Sequence, residues 1–134
     1  MNLDMFAENL ILHYEKPHNK GRIDNASVEI HEDNPTCGDD LTMYLKINKG
    51  KIEDVKFEGI GCSISMGTSS ILTDYIKGKK LEDVRIMRKE DIFELIGITP
   101  GPGRVHCATL SLRAIRKAIL KYGNYEIDRE TKEM

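Results

Sequence analysis

The chain has 134 residues, a formal charge of −2 at pH 7 and 40% hydrophobic residues, which suits one ordinary domain, 1–134, with a core of its own. The near-balanced charge and the lack of a basic tract give no electrostatic reason for binding nucleic acid. The longest apolar run is too short to span a bilayer. Met1-Asn2-Leu3-Asp4 carries neither a basic n-region nor a continuous apolar stretch, so no secretory signal is expected and the location is read as cytoplasmic. The three cysteines are an odd count in a chain large enough to need no disulfide framework.

Phe6, Leu10, Ile11 and Tyr14 recur at helical spacing, which predicts an amphipathic helix over roughly 4–15 that Pro17 and Gly21 end. Val28 and Ile30 suggest a short strand. Leu41, Met43, Leu45 and Ile47 alternate with Thr42, Tyr44 and Lys46, as in a half-buried strand. Asn48-Lys49-Gly50 reads as a hairpin turn. On the returning strand, the spacing from Ile52 to Val55 breaks the alternation that Phe57 resumes, and a bulge would restore the phase. After Cys62 the period changes. Ile64, Ile71, Leu72, Tyr75 and Ile76 fit a helix ending at Gly78, and Leu81, Val84, Ile86, Ile92, Phe93 and Leu95 suggest two short helices. A glycine and proline loop, 97–103, precedes the last helix. That helix starts at about Cys107, carries Ala108, Leu112, Ile115, Ile119 and Tyr122 on one stripe, and closes at Gly123. The charged tail, 124–134, is expected to fray. Strands first and helices afterwards predict an α+β fold, a small three-stranded antiparallel sheet with helices packed on one face.

The chemistry-bearing residues stand where elements end. Cys37 lies in a turn beside Pro35 and Gly38, Cys62 where strand becomes helix, and Cys107 at the start of the last helix. A helix N-terminus lowers a thiol pKa and favours the thiolate. Gly38, Gly59 and Gly61 permit close backbone approach. Iron and zinc both accept soft thiolates, and a [2Fe–2S] cluster usually takes four cysteines. With three cysteines, Asp39 is one candidate for the remaining ligand and His106 another. A harder oxygen donor would hold iron less firmly, which suits a site that must give its cargo away. His18 and His31 read as solvated, and His13 as packed or facing a partner.

Pro35-Thr36-Cys37-Gly38-Asp39, Gly61-Cys62-Ser63-Ile64-Ser65 and His106-Cys107-Ala108-Thr109-Leu110 resemble the three cysteine motifs of the IscU/SufU/NifU N-terminal family of iron–sulfur cluster assembly scaffolds. The resemblance extends to His13-Tyr14-Glu15-Lys16-Pro17 with Asn19-Lys20-Gly21, and to Val55-Lys56-Phe57-Glu58-Gly59, so it covers nearly the whole chain. It implies that Cys37, Asp39, Cys62 and Cys107 hold a transient [2Fe–2S] cluster or Zn2+, with His106 as the alternative or exchanging ligand. It implies a scaffold rather than an enzyme, fed with persulfide sulfur by a cysteine desulfurase, passing its cluster to recipient apoproteins and able to form a homo-oligomer around the bound cluster. Any of Cys37, Cys62 and Cys107 is a candidate sulfur acceptor. Thr99-Pro100-Gly101-Pro102-Gly103-Arg104-Val105 stands where family members served by an Hsp70-type chaperone carry Leu-Pro-Pro-Val-Lys, so chaperone-driven release lacks its recognition stretch. The insertion typical of SufU proteins between the second and third cysteines is also lacking, and His106 precedes Cys107 as in IscU.

The competing readings use the same residues. A SufU-type sulfurtransferase would hold zinc on three cysteines and Asp39 and accept sulfur by thiol exchange. A thiol enzyme would use Cys107 with His106 as base, although adjacent residues seldom reach that geometry. A structural zinc module would account for the ligand count but not for an oxygen ligand or the flanking glycines.

Overall fold

The computed structural model describes residues 3–35 and 38–123, with side chains from residue 7 onward; Thr36, Cys37 and the tail 124–134 lie outside the described residues. The first helix, α1 (Leu3–Glu15), is followed by three strands, β1 (Val28–Asn34), β2 (Asp39–Asn48) and β3 (Lys51–Ile60). These form one antiparallel sheet in the order β1-β2-β3. Then come α2 (Ser63–Ile76), α3 (Leu81–Arg85), α4 (Lys89–Ile96), a 3-10 turn at Pro102–Arg104, α5 (Val105–Ala108) and α6 (Leu110–Tyr122).

The hairpin between β2 and β3 is tight because Asn48 pairs with Lys51, while Lys49 and Gly50 both take positive φ, 53° and 76°. That geometry matches the right-handed twist of the strands. Further along, Ile47 pairs with Ile52 but Lys46 pairs with Asp54, so Glu53 is the extra residue of a bulge. The bulge returns Ile52, Val55 and Phe57 to the face on which Leu41, Met43, Leu45 and Ile47 lie, and all seven are buried. The outer edge of β3 is covered by the segment after α1. Gly21 N–H donates to Phe57 O at 2.8 Å, and Phe57 N–H donates to Asn19 O at 2.9 Å. Covering an edge removes a template for unwanted strand pairing.

α6 packs across β1 and β2, and α2 packs between β3, α1 and α6. Leu72, Ile76, Leu112, Ile115 and Ala118 join the sheet residues in one core cluster. Leu10, Ile71, Ile96 and Ala108 form a second, smaller cluster. α2 is buried from Ser65 to Thr73 although half of that run is hydroxylic. Its hydroxyls turn inward, with Ser69 Oγ donating to Ser65 O at 2.7 Å and Thr73 Oγ1 to Ser69 O at 2.8 Å. Such bonds offset most of the desolvation cost of burying a polar helix, although Thr68 Oγ1 is buried without a partner.

Two elements differ from the sequence reading. On α1 Leu10 is buried, but Ile11 and Tyr14 are exposed, because only the Leu10 side of the helix meets α2. The last helix is divided at Thr109, whose φ of −102° and ψ of 1° interrupt it. Cys107 therefore sits inside the single turn of α5 and not at the N-terminus of α6. No helix among the described residues is long and apolar enough to cross a membrane.

Candidate metal centre

Three chain segments meet at the N-terminal end of α2. The first is the β1–β2 connection, where Gly38 takes φ 74° and its N–H donates to Asn34 O at 2.9 Å. That turn delivers Asp39 to the start of β2, where it is 2% exposed. The second is the strand-to-helix corner. Gly59 takes φ 151°, and a Cβ there would lie 2.0 Å from Asp40 O. Gly61 has no room either, since a Cβ would lie 2.4 Å from Ser65 Oγ and 2.7 Å from Asp39 Oδ1. Glycine at these two positions is what lets the corner fold over the carboxylate. Cys62 follows as the N-cap of α2. The third segment is α5, which carries Cys107, 1% exposed.

Donor atoms of Asp39, Cys62 and Cys107 lie within 4.8 Å of one another. Asp39 Oδ1 accepts from Cys62 N–H at 3.2 Å and from Ser65 Oγ at 3.1 Å. Its other oxygen, Oδ2, is buried with no hydrogen-bond partner. Burying an unsatisfied carboxylate oxygen is costly, so the atom is placed for a cation. Two thiol sulfurs and the carboxylate of Asp39 form a donor set suited to zinc or iron.

Burial on its own would raise the Cys62 thiol pKa. Hydrogen bonds to sulfur from Ser65 N–H, the Ser65 hydroxyl and Ile64 N–H outweigh it, and the thiol lies below its usual range despite the opposing charge of Asp39. The Ser65 N–H bond to Cys62 Sγ measures 3.5 Å. On the third segment, Asn34 Nδ2 lies 3.8 Å from Cys107 Sγ. Beside Cys62 a groove lined by Tyr14, Lys20, Ile60, Gly61 and Met66 opens to solvent.

Of the sequence candidates, Asp39, Cys62 and Cys107 are brought together. Cys37 lies outside the described residues. His106 is exposed on α5 and is not in the group that shares the 4.8 Å neighbourhood. Sequence reasoning overlooked Ser65 and Asn34. Ser65 sits three residues after the N-cap, where capping partners are expected, and that spacing was the available signal. Asn34 sits at a strand end next to Pro35, which marks a turn but gives no hint of a sulfur contact.

The fold and this donor set define a small α+β domain with a three-segment site of thiols and a carboxylate. The model of the NifU-like N-terminal domain matches residues 5–128, and the chain belongs to that family. It is 39% identical over 138 residues to the zinc-dependent sulfurtransferase SufU of Bacillus subtilis, covering 90% of this chain and 93% of that one. It is 35% identical over 121 residues to the iron–sulfur cluster assembly scaffold protein IscU of Escherichia coli, covering 87% and 93%. Among solved structures, a candidate SUF-system iron–sulfur scaffold from Fervidobacterium islandicum superposes with a TM-score of 0.74 at 27% identity, covering 88% of this chain and 99% of that one. The N-terminal part of a NifU-like protein from Brucella abortus shares the fold, with a TM-score of 0.76 at 16% identity over 92% and 97% of the two chains.

Proposed function

We propose that this chain is a single scaffold domain on which a transient [2Fe–2S] cluster is built and then surrendered to recipient apoproteins. The ligands assigned are Cys37, Asp39, Cys62 and Cys107. The observation that carries the reading is a buried Asp39 with a carboxylate oxygen within 4.8 Å of two thiol sulfurs and with Oδ2 left unpartnered. Sulfur arrives from a cysteine desulfurase. A scaffold thiolate attacks the outer sulfur of the desulfurase persulfide, the new S–S bond forms, and the desulfurase thiolate departs. Cys62 suits the attacking role because its hydrogen bonds favour the thiolate and it is half-buried where Cys107 is buried. Each sulfane sulfur needs two electrons to become sulfide, so assembly requires an external reductant. The carboxylate is the weakest iron ligand of the set, and its displacement by an incoming thiolate opens the route for release. His106, exposed one residue before Cys107, is assigned as the exchanging ligand, reached by a swing of its side chain.

A second reading has its own support in the identity with a zinc-dependent sulfurtransferase. Three thiolates and one carboxylate close a tetrahedral zinc site. Zinc bound there would fix the donors and hold the thiols as thiolates, while the protein residues perform the sulfur exchange.

Anaerobic purification followed by elemental analysis and an absorption spectrum separates the two. Iron and sulfide with visible charge-transfer bands are the expected result after reconstitution. Tight stoichiometric zinc, no colour with iron and sulfide, and strong stimulation of desulfurase turnover would replace the first reading with the second.

A further inference from the structure

α1 ends against the C-terminal half of α2, and the approach is close. A Cβ on Gly67 would lie 2.6 Å from Leu10 O and 2.8 Å from Leu10 Cδ1. Beyond it, the small Ser70 makes room for the His13 ring, whose Nδ1 is 2.7 Å from Ser70 Oγ. After Pro17 the chain turns through Asn19 at φ 61° and brings His18 back over the same helix. His18 N–H donates to Ser70 Oγ at 2.8 Å, and His18 Nδ1 lies 2.5 Å from Asp74 Oδ2. The two imidazole centroids are 4.6 Å apart and tilted by 56°. One donor atom from each of His13, His18 and Asp74 lies within 4.8 Å of the other two.

We propose that His13, His18 and Asp74 form a second, mononuclear site for a borderline divalent transition ion such as Ni2+, Co2+ or Zn2+, which clasps the end of α1 and the following turn onto α2. Two imidazoles and one carboxylate suit such ions and not Mg2+ or Ca2+, which prefer oxygen donors throughout. Ligand bonds of about 2.0–2.2 Å put any two donors at most about 4.4 Å apart, so a small inward rotation of the side chains completes the set. Asn19 Nδ2 donates to Asp74 Oδ1 at 2.8 Å, which steadies the carboxylate as outer partners of metal ligands do. The His18 and Asp74 side chains are 57% and 44% exposed, so water can fill the remaining coordination positions.

A surface ion pair between His18 and Asp74 would form without any metal. What the ion pair does not require is His13, turned toward both from another helix. Burial, and then the charge of His18, lower the His13 pKa, so the ring is supplied neutral, the form that binds a metal. The site is distinct from the thiolate centre. From Cys62 to Asp74 along α2 is about 18 Å at ~1.5 Å per residue.

The test is titration of the full chain as purified, whatever it carries at its cysteines, with Ni2+ by calorimetry. One additional equivalent is expected, at least tenfold weaker in both His18→Gln and Asp74→Asn while the far-ultraviolet dichroism stays unchanged. Co2+ should broaden the ring signals of His13 and His18 before those of His31 and His106. Amide exchange in the second half of α1 should slow when Ni2+ is bound. No additional equivalent, an equivalent indifferent to both substitutions, first broadening at His31 or His106, or unchanged exchange in α1 would each overturn the clasp.

Discussion

The two ends of α2 carry two groups of donors built in opposite ways. At the N-terminal end Asp39 and Cys107 are almost fully buried, held by a glycine corner and two different backbone turns, and one carboxylate oxygen has no protein partner. At the C-terminal end His18 and Asp74 are exposed, and His13, His18 and Asp74 already bond to Ser70, Asn19 or each other. The difference is one of obligation. A buried unsatisfied group costs about 1–3 kcal/mol, more when charged, so the first end is incomplete without an ion. The second end is satisfied without one, and an ion there is conditional on supply.

The sharpest way to break this comparison is to remove a sulfur. Cys107→Ser should weaken zinc binding by more than a hundredfold in competition with a chelator, beyond the ~10–100-fold typical of disturbing an outer partner. His18→Gln should leave the same competition within about twofold of the unsubstituted protein. If the two variants behaved alike, the ends of α2 would not be independent. Cys37→Ser belongs in the same assay, and full retained affinity would remove Cys37 from the ligand set.

Next in size is Gly61→Ala. The added carbon would meet Ser65 Oγ at 2.4 Å and Asp39 Oδ1 at 2.7 Å, so the carboxylate or the helix start must shift. A loss of metal affinity of about ten- to a hundredfold is expected, the scale of a misplaced outer partner, with α-helical content retained. Ala at this position with unchanged affinity would mean that the corner does not position Asp39. Asp39→Ala acts on release. The carboxylate is the ligand that leaves most readily, and without it an incoming thiolate loses its entry, so a reconstituted cluster should persist several-fold longer in air. A shorter lifetime would make Asp39 a retaining ligand.

The parts of the fold that were legible in the sequence are local ones. The Asn48-Lys49-Gly50 turn, with Gly50 at positive φ, and the bulge that absorbs the Ile52-to-Val55 slip both follow from a few neighbouring residues, and both are present. The burial of α2 was hidden because Ser65, Thr68, Ser69, Ser70 and Thr73 look like a solvated face, and only in the folded helix do Ser69 and Thr73 bond to carbonyls one turn back. Exposure of Ile11 and Tyr14 depends on which side of α1 meets α2, a tertiary choice that periodicity does not make. Likewise the break at Thr109 puts Cys107 in a separate single turn ahead of α6 although the apolar stripe runs on without interruption. Residue type and setting marked Cys62, Cys107 and Asp39 as candidate donors, and the fold brings these three together. That Asn34 reaches the Cys107 sulfur was not legible, because the contact spans 73 residues and arises only when the segments converge, whereas the Ser65 contact with Cys62 lay in the N-cap spacing.

The smallest expected effect isolates the role of Ser65. Its hydroxyl has one proton and three neighbouring acceptors, at 3.1 Å from Asp39 Oδ1, 3.2 Å from Cys62 O and 3.6 Å from Cys62 Sγ. In Ser65→Ala the backbone N–H of residue 65 still reaches the sulfur, and only the side-chain bond to the thiolate is lost. Because the Cys62 pKa is held below its usual value in the folded protein, the unfolded chain binds more protons than the folded one between the two pKa values, and stability gains as pH rises through that window. Removing the hydroxyl narrows the window from below. The alkylation rate of Cys62 in metal-free protein should therefore reach its half-maximum at a higher pH in the variant. A midpoint that stays fixed or falls would mean that the hydroxyl spends its proton on Asp39, making Ser65 a support of the carboxylate and leaving the helix N–H groups alone to favour the thiolate.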